Sequence, residues 1–135
     1  MFTGLKEFSA AMDRMIAAAD VAARTIVTEG GKAIVESTHA HMDGRPGPMR
    51  RSGRLYDSVR SPIVTSLGAA RWQSETAPSG VPYERRIELG FTGTDSRGRH
   101  YHQPPFPYLK PGFEDATPKI DAIARAAWFG ATRAG

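Results

Sequence analysis

The four histidines of this sequence form two His-x-His pairs, and imidazole nitrogens are common ligands of zinc and nickel. The pairs are His39 with His41 and His100 with His102. Catalytic zinc usually takes three protein ligands and structural zinc four, so a carboxylate such as Asp95 or Glu114 would have to complete a site. Both pairs lie in predicted loops or at a predicted helix end, where the local pattern does not fix their geometry. The sequence therefore favours hydrogen-bonded or exposed histidines, and a small metal-dependent enzyme is the alternative.

Other catalytic patterns are missing from the sequence. It has no Gly-x-Ser-x-Gly motif, and the glycine-containing segment 90–94 lacks the Lys-Ser/Thr pair that completes a nucleotide-binding phosphate loop. It also has no cysteine, which excludes disulfides and thiolate metal sites. We therefore predict that the protein is not an enzyme and needs no cofactor.

Arginines supply most of the positive charge, and they are concentrated in one segment. The chain carries 18 Lys and Arg against 14 Asp and Glu, a net charge of +4. Residues 45–60 hold a single acid and five of the arginines, namely Arg45, Arg50, Arg51, Arg54 and Arg60. Such a segment is either a solvated basic loop or a site for phosphate or a partner. A nucleic-acid-binding module that uses this loop is therefore one alternative function.

Length and composition indicate one domain over residues 1–135. The chain is 40% hydrophobic and 24% charged, as in soluble globular proteins. It has no apolar run of the roughly 20 residues that a membrane-spanning helix needs, so we expect no membrane contact. The first residues do not resemble a secretory signal, which favours an origin in the cytoplasm.

A long helix is predicted over residues 3–38. Apolar residues recur three or four apart, beginning with Leu5, Phe8, Met12 and Met15, and alanines add helix propensity. Thr3 is the predicted N-cap, and Gly30-Gly31 is predicted to bend or interrupt the helix.

The length of this helix suggests a role in assembly. Residues 3–29 alone would span about 40 Å, whereas a compact domain of this size is about 37 Å across. We therefore predict that part of the apolar side of the helix packs on another subunit. The alternative is a bent helix that lies fully across its own sheet.

The remaining elements are shorter. Residues 55–67 and 69–76 are predicted to be two strands of a hairpin, with Gly68 at the turn. Residues 83–91 suit either a helical turn leading into a strand or a strand alone, and residues 92–107 are predicted to be a long loop. A second helix is predicted to have Thr117 as its N-cap and Pro118 as its first residue.

Three segments, in this order, resemble a family of phage virion proteins. Residues 52–59 (SGRLYDSV) are similar to the family pattern T-G-x-L-x-x-S-I. Residues 83–91 (YERRIELGF) are similar to Y-A-x-x-V-E-F-G-T, and residues 104–113 (PPFPYLKPGF) to P-x-P-F-L-R-P-A-L. The family is the gene-product-ten-like group of long-tailed bacteriophages, which comprises head–tail joining, neck and tail-completion proteins. The resemblance covers residues 50–130.

This resemblance implies a structural protein of the virion, assembled in the host cytoplasm and located at the head–tail junction. It implies a homo-oligomeric ring, expected to be a hexamer, that contacts neighbouring neck and tail proteins. Double-stranded DNA would pass transiently through its lumen. A minor tail protein of similar fold is the alternative within the same class.

The predicted fold is α+β, with a long N-terminal helix, a small antiparallel sheet and a C-terminal helix packed on the sheet. The prolines of residues 104–111 would stiffen an extended segment, so that its aromatic residues dock with a smaller loss of entropy. The candidate interface residues are Leu5, Phe8, Met12, Met15, Arg50, Arg51, Arg54, Phe106 and Tyr108.

Overall fold

The computed structural model describes residues 4–49, 53–60, 62–76, 78 and 83–133. The helices are α1 (Leu5–Ala40), α2 (Arg54–Ser58), α3 (Glu84–Leu89) and α4 (Leu109–Arg133). The strands are β1 (Ile63–Gly68), β2 (Arg71–Glu75), β3 (Phe91–Thr94) and β4 (His100–Gln103). The strands form two separate antiparallel hairpins, β1–β2 and β3–β4. The predicted α+β class is confirmed.

Helix α1 runs through Gly30-Gly31 without interruption, so the predicted interruption there is wrong. Gly31 instead allows neighbouring elements to come close. A Cβ atom on Gly30 would lie 3.6 Å from the side chain of Ile120 in α4. A Cβ on Gly31 would lie 2.6 Å from the ring of Pro62 and 3.0 Å from the hydroxyl of Ser74. The distance at Gly30 is an ordinary van der Waals contact that an alanine would also make, whereas Gly31 is needed for the close approach of Pro62. The predicted cap, Thr3, lies outside the described residues.

Helices α1 and α4 form an antiparallel pair. Gly112 of α4 lies against Thr38, and Ile120 of α4 lies against Gly30, so the two helices run in opposite directions. The packing partner of the last helix thus differs from the prediction, because α4 lies along α1 and not on a sheet. Each hairpin has only two short strands, which are too small to cover a helix of 25 residues.

Helix α4 begins at Leu109, and the start predicted at Thr117 is wrong. Pro111 falls in the first turn, where a missing N–H breaks no intrahelical hydrogen bond. Pro118 lies inside the helix and does not open it. The hydroxyl of Thr117 donates to the carbonyl of Phe113 at 3.0 Å instead of capping the helix.

The first hairpin is present as predicted, but its first strand is shorter than expected, and its turn is Ala69-Ala70 instead of Gly68, which ends β1. β1 pairs with β2 with Val64 opposite Ser74 and Ser66 opposite Trp72. The segment 55–58, predicted as strand, belongs to the short helix α2. Gly53 precedes this helix with φ of +81°, a left-handed conformation that favours glycine. It starts the helical turn that the apolar pattern did not indicate.

The second hairpin was not predicted. Residues 83–91 do form a helical turn followed by a strand, as one alternative proposed, but the predicted loop 92–107 contains β4, which pairs with β3. The turn is organised by Asp95, whose carboxylate accepts the backbone N–H groups of Arg97 and Arg99, each at 2.9 Å. These bonds, with the Arg99 backbone first, hold the pKa of Asp95 below its ordinary value. The segment whose composition suggested a loop therefore forms a hairpin, because a local turn brings its two strands together.

The glycine contact between α1 and α4 predicts a difference between two alanine variants of the same helix. A Cβ on Gly112 would lie 2.7 Å from the Cα of Thr38, a backbone atom that cannot rotate away. We expect Gly112→Ala to lower the free energy of unfolding by about 1–3 kcal/mol, as overpacking does. Urea denaturation followed by circular dichroism at 222 nm measures this change.

The matched control is Gly130→Ala, because a Cβ at that position meets no atom within 4 Å. There the higher helix propensity of alanine should stabilise the protein by about 0.5–1 kcal/mol. Equal effects of the two substitutions would contradict the close contact.

Candidate functional site

The three segments that carry the family resemblance meet in one core, which we call the motif core. Its fully buried side chains are Met42, Val59 and Tyr108. Packed against them are Leu55 from the first segment, Ile87 from the second and Leu109 from the third. Segments that are far apart in the sequence thus form a single packing unit between α2, α3 and the start of α4.

Glu88 of α3 caps the N-terminus of α4. Its carboxylate accepts the backbone N–H groups of Tyr108 at 2.8 Å, Leu109 at 3.0 Å and Lys110 at 3.1 Å. The first N–H groups of a helix have no partner within the helix, and the helix dipole favours a negative charge there. The carboxylate therefore fixes the starting point of α4 and joins the second segment to the third.

Tyr108 is enclosed within its own domain, with 0% of its surface exposed. Its hydroxyl donates to the carbonyl of Glu84 at 3.3 Å. Burial raises the pKa of the Tyr108 phenol well above its ordinary value, and the nearby carboxylates of Glu88 and Glu84 raise it further. This candidate interface residue is therefore a core residue in this structure. Phe106, by contrast, is only half-buried, and its N–H donates to the carbonyl of Ile87 at 2.7 Å.

The four histidines lie within hydrogen-bond distance of different groups and, among the described residues, do not share a common partner. His39 lies within hydrogen-bond distance of the carbonyls of Tyr56 and Val59 and stacks on the Tyr56 ring. His41 contacts the carboxylate of Asp115 at 2.6 Å. His100 and His102 contact threonine hydroxyls across the second hairpin. Within the described residues, no group of three or more His, Cys, Asp and Glu side chains is arranged to hold a metal ion.

A groove of about 640 Å³ opens beside the motif core, and we call it the arginine groove. Its apolar lining includes Met42, Leu55, Ile87 and Phe106, and its charged lining is Arg45, Arg54 and Arg86. Arg54 was a predicted contact residue, whereas Arg86 was not identified from the sequence. Arg50 and Arg51 lie outside the described residues.

The first turns of α1 form an exposed apolar stripe. It consists of Leu5, Phe8, Met12, Met15 and Ile16, whose exposed fractions range from 41% to 87%. In the register set by the contacts of Gly112 and Ile120 with α1, the described end of α4 at Arg133 falls about level with Ala17. The stripe therefore lies on the part of α1 that projects past α4.

Several exposed apolar residues near the stripe were not among the predicted interface residues. Ile16 belongs to the stripe itself, and Trp128 and Phe129 are about half-exposed near the described end of α4. In the sequence, Trp128 lies at helical spacing from Ile120 and Ala124. Spacing shows that a residue lies on an apolar side, but it does not show whether that side meets another element.

An acid in the middle of α1 has a structural role. Asp20 accepts a hydrogen bond from the indole N–H of Trp72 at 2.8 Å, and the guanidinium of Arg24 lies 5.3 Å from the centre of the same ring. These contacts hold the first hairpin against the middle of α1.

Two further findings bear on function. In the part of the chain that the structure describes, no helix is both long enough and apolar enough to cross a membrane. Comparisons with protein-family models, with curated proteins and with solved structures each find no match to this chain.

The cap on α4 predicts that Glu88→Gln destabilises the protein. The amide keeps one oxygen but replaces the other with an NH₂ group that faces backbone donors, so we expect a loss of about 1–3 kcal/mol in the free energy of unfolding. The control is Glu114→Gln, which removes an exposed carboxylate from α4 itself and should cost less than about 0.5 kcal/mol. Urea denaturation measures both, and similar losses would argue against the cap.

The burial of Tyr108 predicts a stability loss in alkaline solution. Because the folded-state pKa of its phenol is raised above 10.0, only the unfolded chain ionises this group as the pH first passes 10. Stability should therefore be unaffected by Tyr108 ionisation below that pH and should fall above it, by up to about 1.4 kcal/mol per pH unit.

The Tyr108→Phe variant isolates this effect, since the other tyrosines are present in both proteins. At pH 7 the variant should be less stable than the wild type by about 0.5–1.5 kcal/mol, because it lacks one hydrogen bond. The difference should shrink or reverse between pH 10 and 11. A constant difference across that range would show that Tyr108 ionises equally in both states.

Proposed function

We propose that this protein is a structural subunit of a long-tailed bacteriophage virion and assembles into a ring at the head–tail junction. The observation that carries the proposal is the exposed apolar stripe on the projecting part of α1. The ring is expected to be sixfold, to contact neighbouring neck and tail proteins, and to let double-stranded DNA pass through its lumen. The proposal assigns no catalytic step and no cofactor.

The stripe supports assembly on energetic grounds. Leu5, Met15 and Ile16 are each more than half exposed, and burial of one such side chain stabilises a contact by about 1.5–3 kcal/mol. Monomeric proteins rarely leave a contiguous apolar surface of this kind uncovered. Since the side chains recur at helical spacing, their natural partner is an elongated surface such as a helix of another subunit.

The motif core supports the more specific part of the proposal. The three segments that resemble the phage family lie together, and Glu88 and Tyr108 each belong to one of the matching patterns and contact one another. If the family pattern maintains a packing unit, its matching positions are expected to contact one another, as Glu88 and Tyr108 do. The head–tail location, the partners and the passage of DNA depend on this resemblance.

The proposal predicts that charges on the stripe prevent assembly. In the double variant Leu5→Lys, Met15→Lys, two apolar side chains are lost from the contact and two charges are added. We expect the association constant to fall at least 100-fold, which corresponds to about 2.8 kcal/mol. Light scattering coupled to size-exclusion chromatography, over a range of concentrations, measures the change, and negative-stain microscopy shows whether wild-type particles are rings.

The control is Val21→Lys on the same helix. Val21 is 58% exposed and lies nine residues after Met12, which places it on the opposite side of the helix. This variant should assemble as the wild type does. A wild-type protein that is monomeric at all concentrations and does not join virion particles would refute the proposal.

A further inference from the structure

The arginine groove combines fixed positive charges with an apolar floor. The guanidinium carbon of Arg45 lies 3.7 Å from the centre of the Phe106 ring, and that of Arg86 lies 4.1 Å from the centre of the Phe91 ring. Stacking on an aromatic ring restricts the movement of a guanidinium group, so less entropy is lost when it binds an anion. Arg45 is thus held at the groove by a ring that lines it, whereas Arg86, which also lines the groove, is held by a ring outside the lining.

These charges are not balanced locally. None of the described residues that line the groove is Asp or Glu. Arg45 donates one hydrogen bond, to the carbonyl of Gly47 at 3.2 Å, and neither Arg45 nor Arg86 forms an ion pair with a described residue. A guanidinium has five N–H donors and pairs well with a carboxylate through two parallel bonds. The groove therefore favours an anionic ligand.

The floor of the groove indicates which kind of anion. Leu55 and Ile87 present apolar surface, and Met49, which also lines the groove, is 60% exposed. Such surface favours aliphatic or aromatic side chains over a sugar–phosphate backbone. A volume of about 640 Å³ lies within the range of about 300–1,000 Å³ in which proteins hold compact ligands.

We propose that the arginine groove binds a short acidic segment of a neighbouring protein. Carboxylates of that segment pair with Arg45 and Arg86, and one aliphatic or aromatic side chain packs on the floor. This is the recognition of acidic motifs by clustered arginines. The inference rests on the proposed function only in naming the partner as an adjoining virion protein.

A second copy of this chain fits the groove less well. The exposed part of α1 has the required apolar side chains, but in residues 5–16 its acids Glu7 and Asp13 are balanced by Lys6 and Arg14. A segment without net charge gains little from Arg45 and Arg86. An acidic segment of another protein has the complementary charge.

The test is a selection of random 12-residue peptides displayed on yeast, sorted for binding to the labelled full chain. Asp and Glu should be enriched at least twofold over the unsorted library, next to Leu, Ile or Phe. Synthetic copies of the selected peptides, measured by fluorescence anisotropy, should bind at least tenfold more weakly to the double variant Arg45→Gln, Arg86→Gln. The variant Arg45→Lys, Arg86→Lys keeps the charge but not the planar fork, so it should bind with intermediate affinity.

The control variant is Arg71→Gln, Arg125→Gln, which removes two exposed arginines that do not line the groove. It should bind the peptides like the wild type, and thermal melts should show that all variants are folded. Selection of neutral peptides, or equal binding by the Gln variant of the groove, would overturn the proposal. Displacement of the peptides by a 12-nucleotide oligothymidine of equal affinity would assign the groove to nucleic acid instead.

The result can be separated from the fate of the ring. The groove begins at Met42, beyond the end of α1, whereas the stripe lies at the other end of that helix. The assembly-defective variant Leu5→Lys, Met15→Lys should therefore bind the selected peptides with unchanged affinity. If it does, a protein that forms no ring would still possess the site, and a ring without peptide binding would refute the site alone.

Discussion

The carboxylate of Glu88 lies within hydrogen-bond distance of three consecutive backbone N–H groups, and this contact fixes where α4 begins. Because Glu88 belongs to α3, the bonds join two helices that are separated in sequence by the whole β3–β4 hairpin. They also place Tyr108 against Met42 and Val59 in the motif core. Gly112 follows only four residues later, so the close approach of α4 to Thr38 depends on the same starting point.

The contact between α1 and α4 is made by small residues, and this has a consequence for the rest of the surface. Ala22, Ala33 and Ala116 are buried, and glycines let the helix backbones come close. Small side chains bring two helices together but bury little apolar area each. This contact therefore needs few of the large apolar side chains of α1, and those in its first turns stay exposed because they lie on the part of α1 that projects past the described end of α4. The physical case for assembly thus begins in the difference in length between the two helices, 36 and 25 residues.

The sequence predicts those elements whose signals are local. The apolar period of α1 and the strand-forming residues of the first hairpin are both local, and both elements are present in the structure, although the hairpin turn falls at Ala69-Ala70 and not at Gly68. The start of α4 was misplaced because its cap comes from Glu88, about twenty residues earlier, and no spacing within the helix reveals that partner. Gly30-Gly31 was taken for a break since a single sequence does not show which neighbour needs the missing Cβ. In the second hairpin, Asp95 and Gly98 are a local signal for the turn, and this signal was not used to predict it.

The candidate site was predicted less completely than the fold. Leu5 and Met15 were identified as interface residues because the sequence alone predicts an apolar helix that is longer than the diameter of the domain. Arg86 was missed, since only folding brings α3 beside Arg45 and Phe106. Tyr108 was assigned to the surface because an aromatic residue among prolines looks the same in sequence whether it docks on its own domain or on another.

The two candidate surfaces lie at opposite ends of a helix of 36 residues, which is about 54 Å long. A partner in the arginine groove therefore cannot touch the apolar stripe, and any coupling between them has to pass through α1. The helix is continuous, and it is clamped by α4 at Thr38 and Gly30 and by the first hairpin at Asp20. An element held at several points keeps its two ends in one fixed relation, so the groove and the stripe are presented in a single geometry. Since a ligand couples two sites only by binding two states with different affinity, contacts between subunits and contacts with a neighbouring protein are expected to form independently.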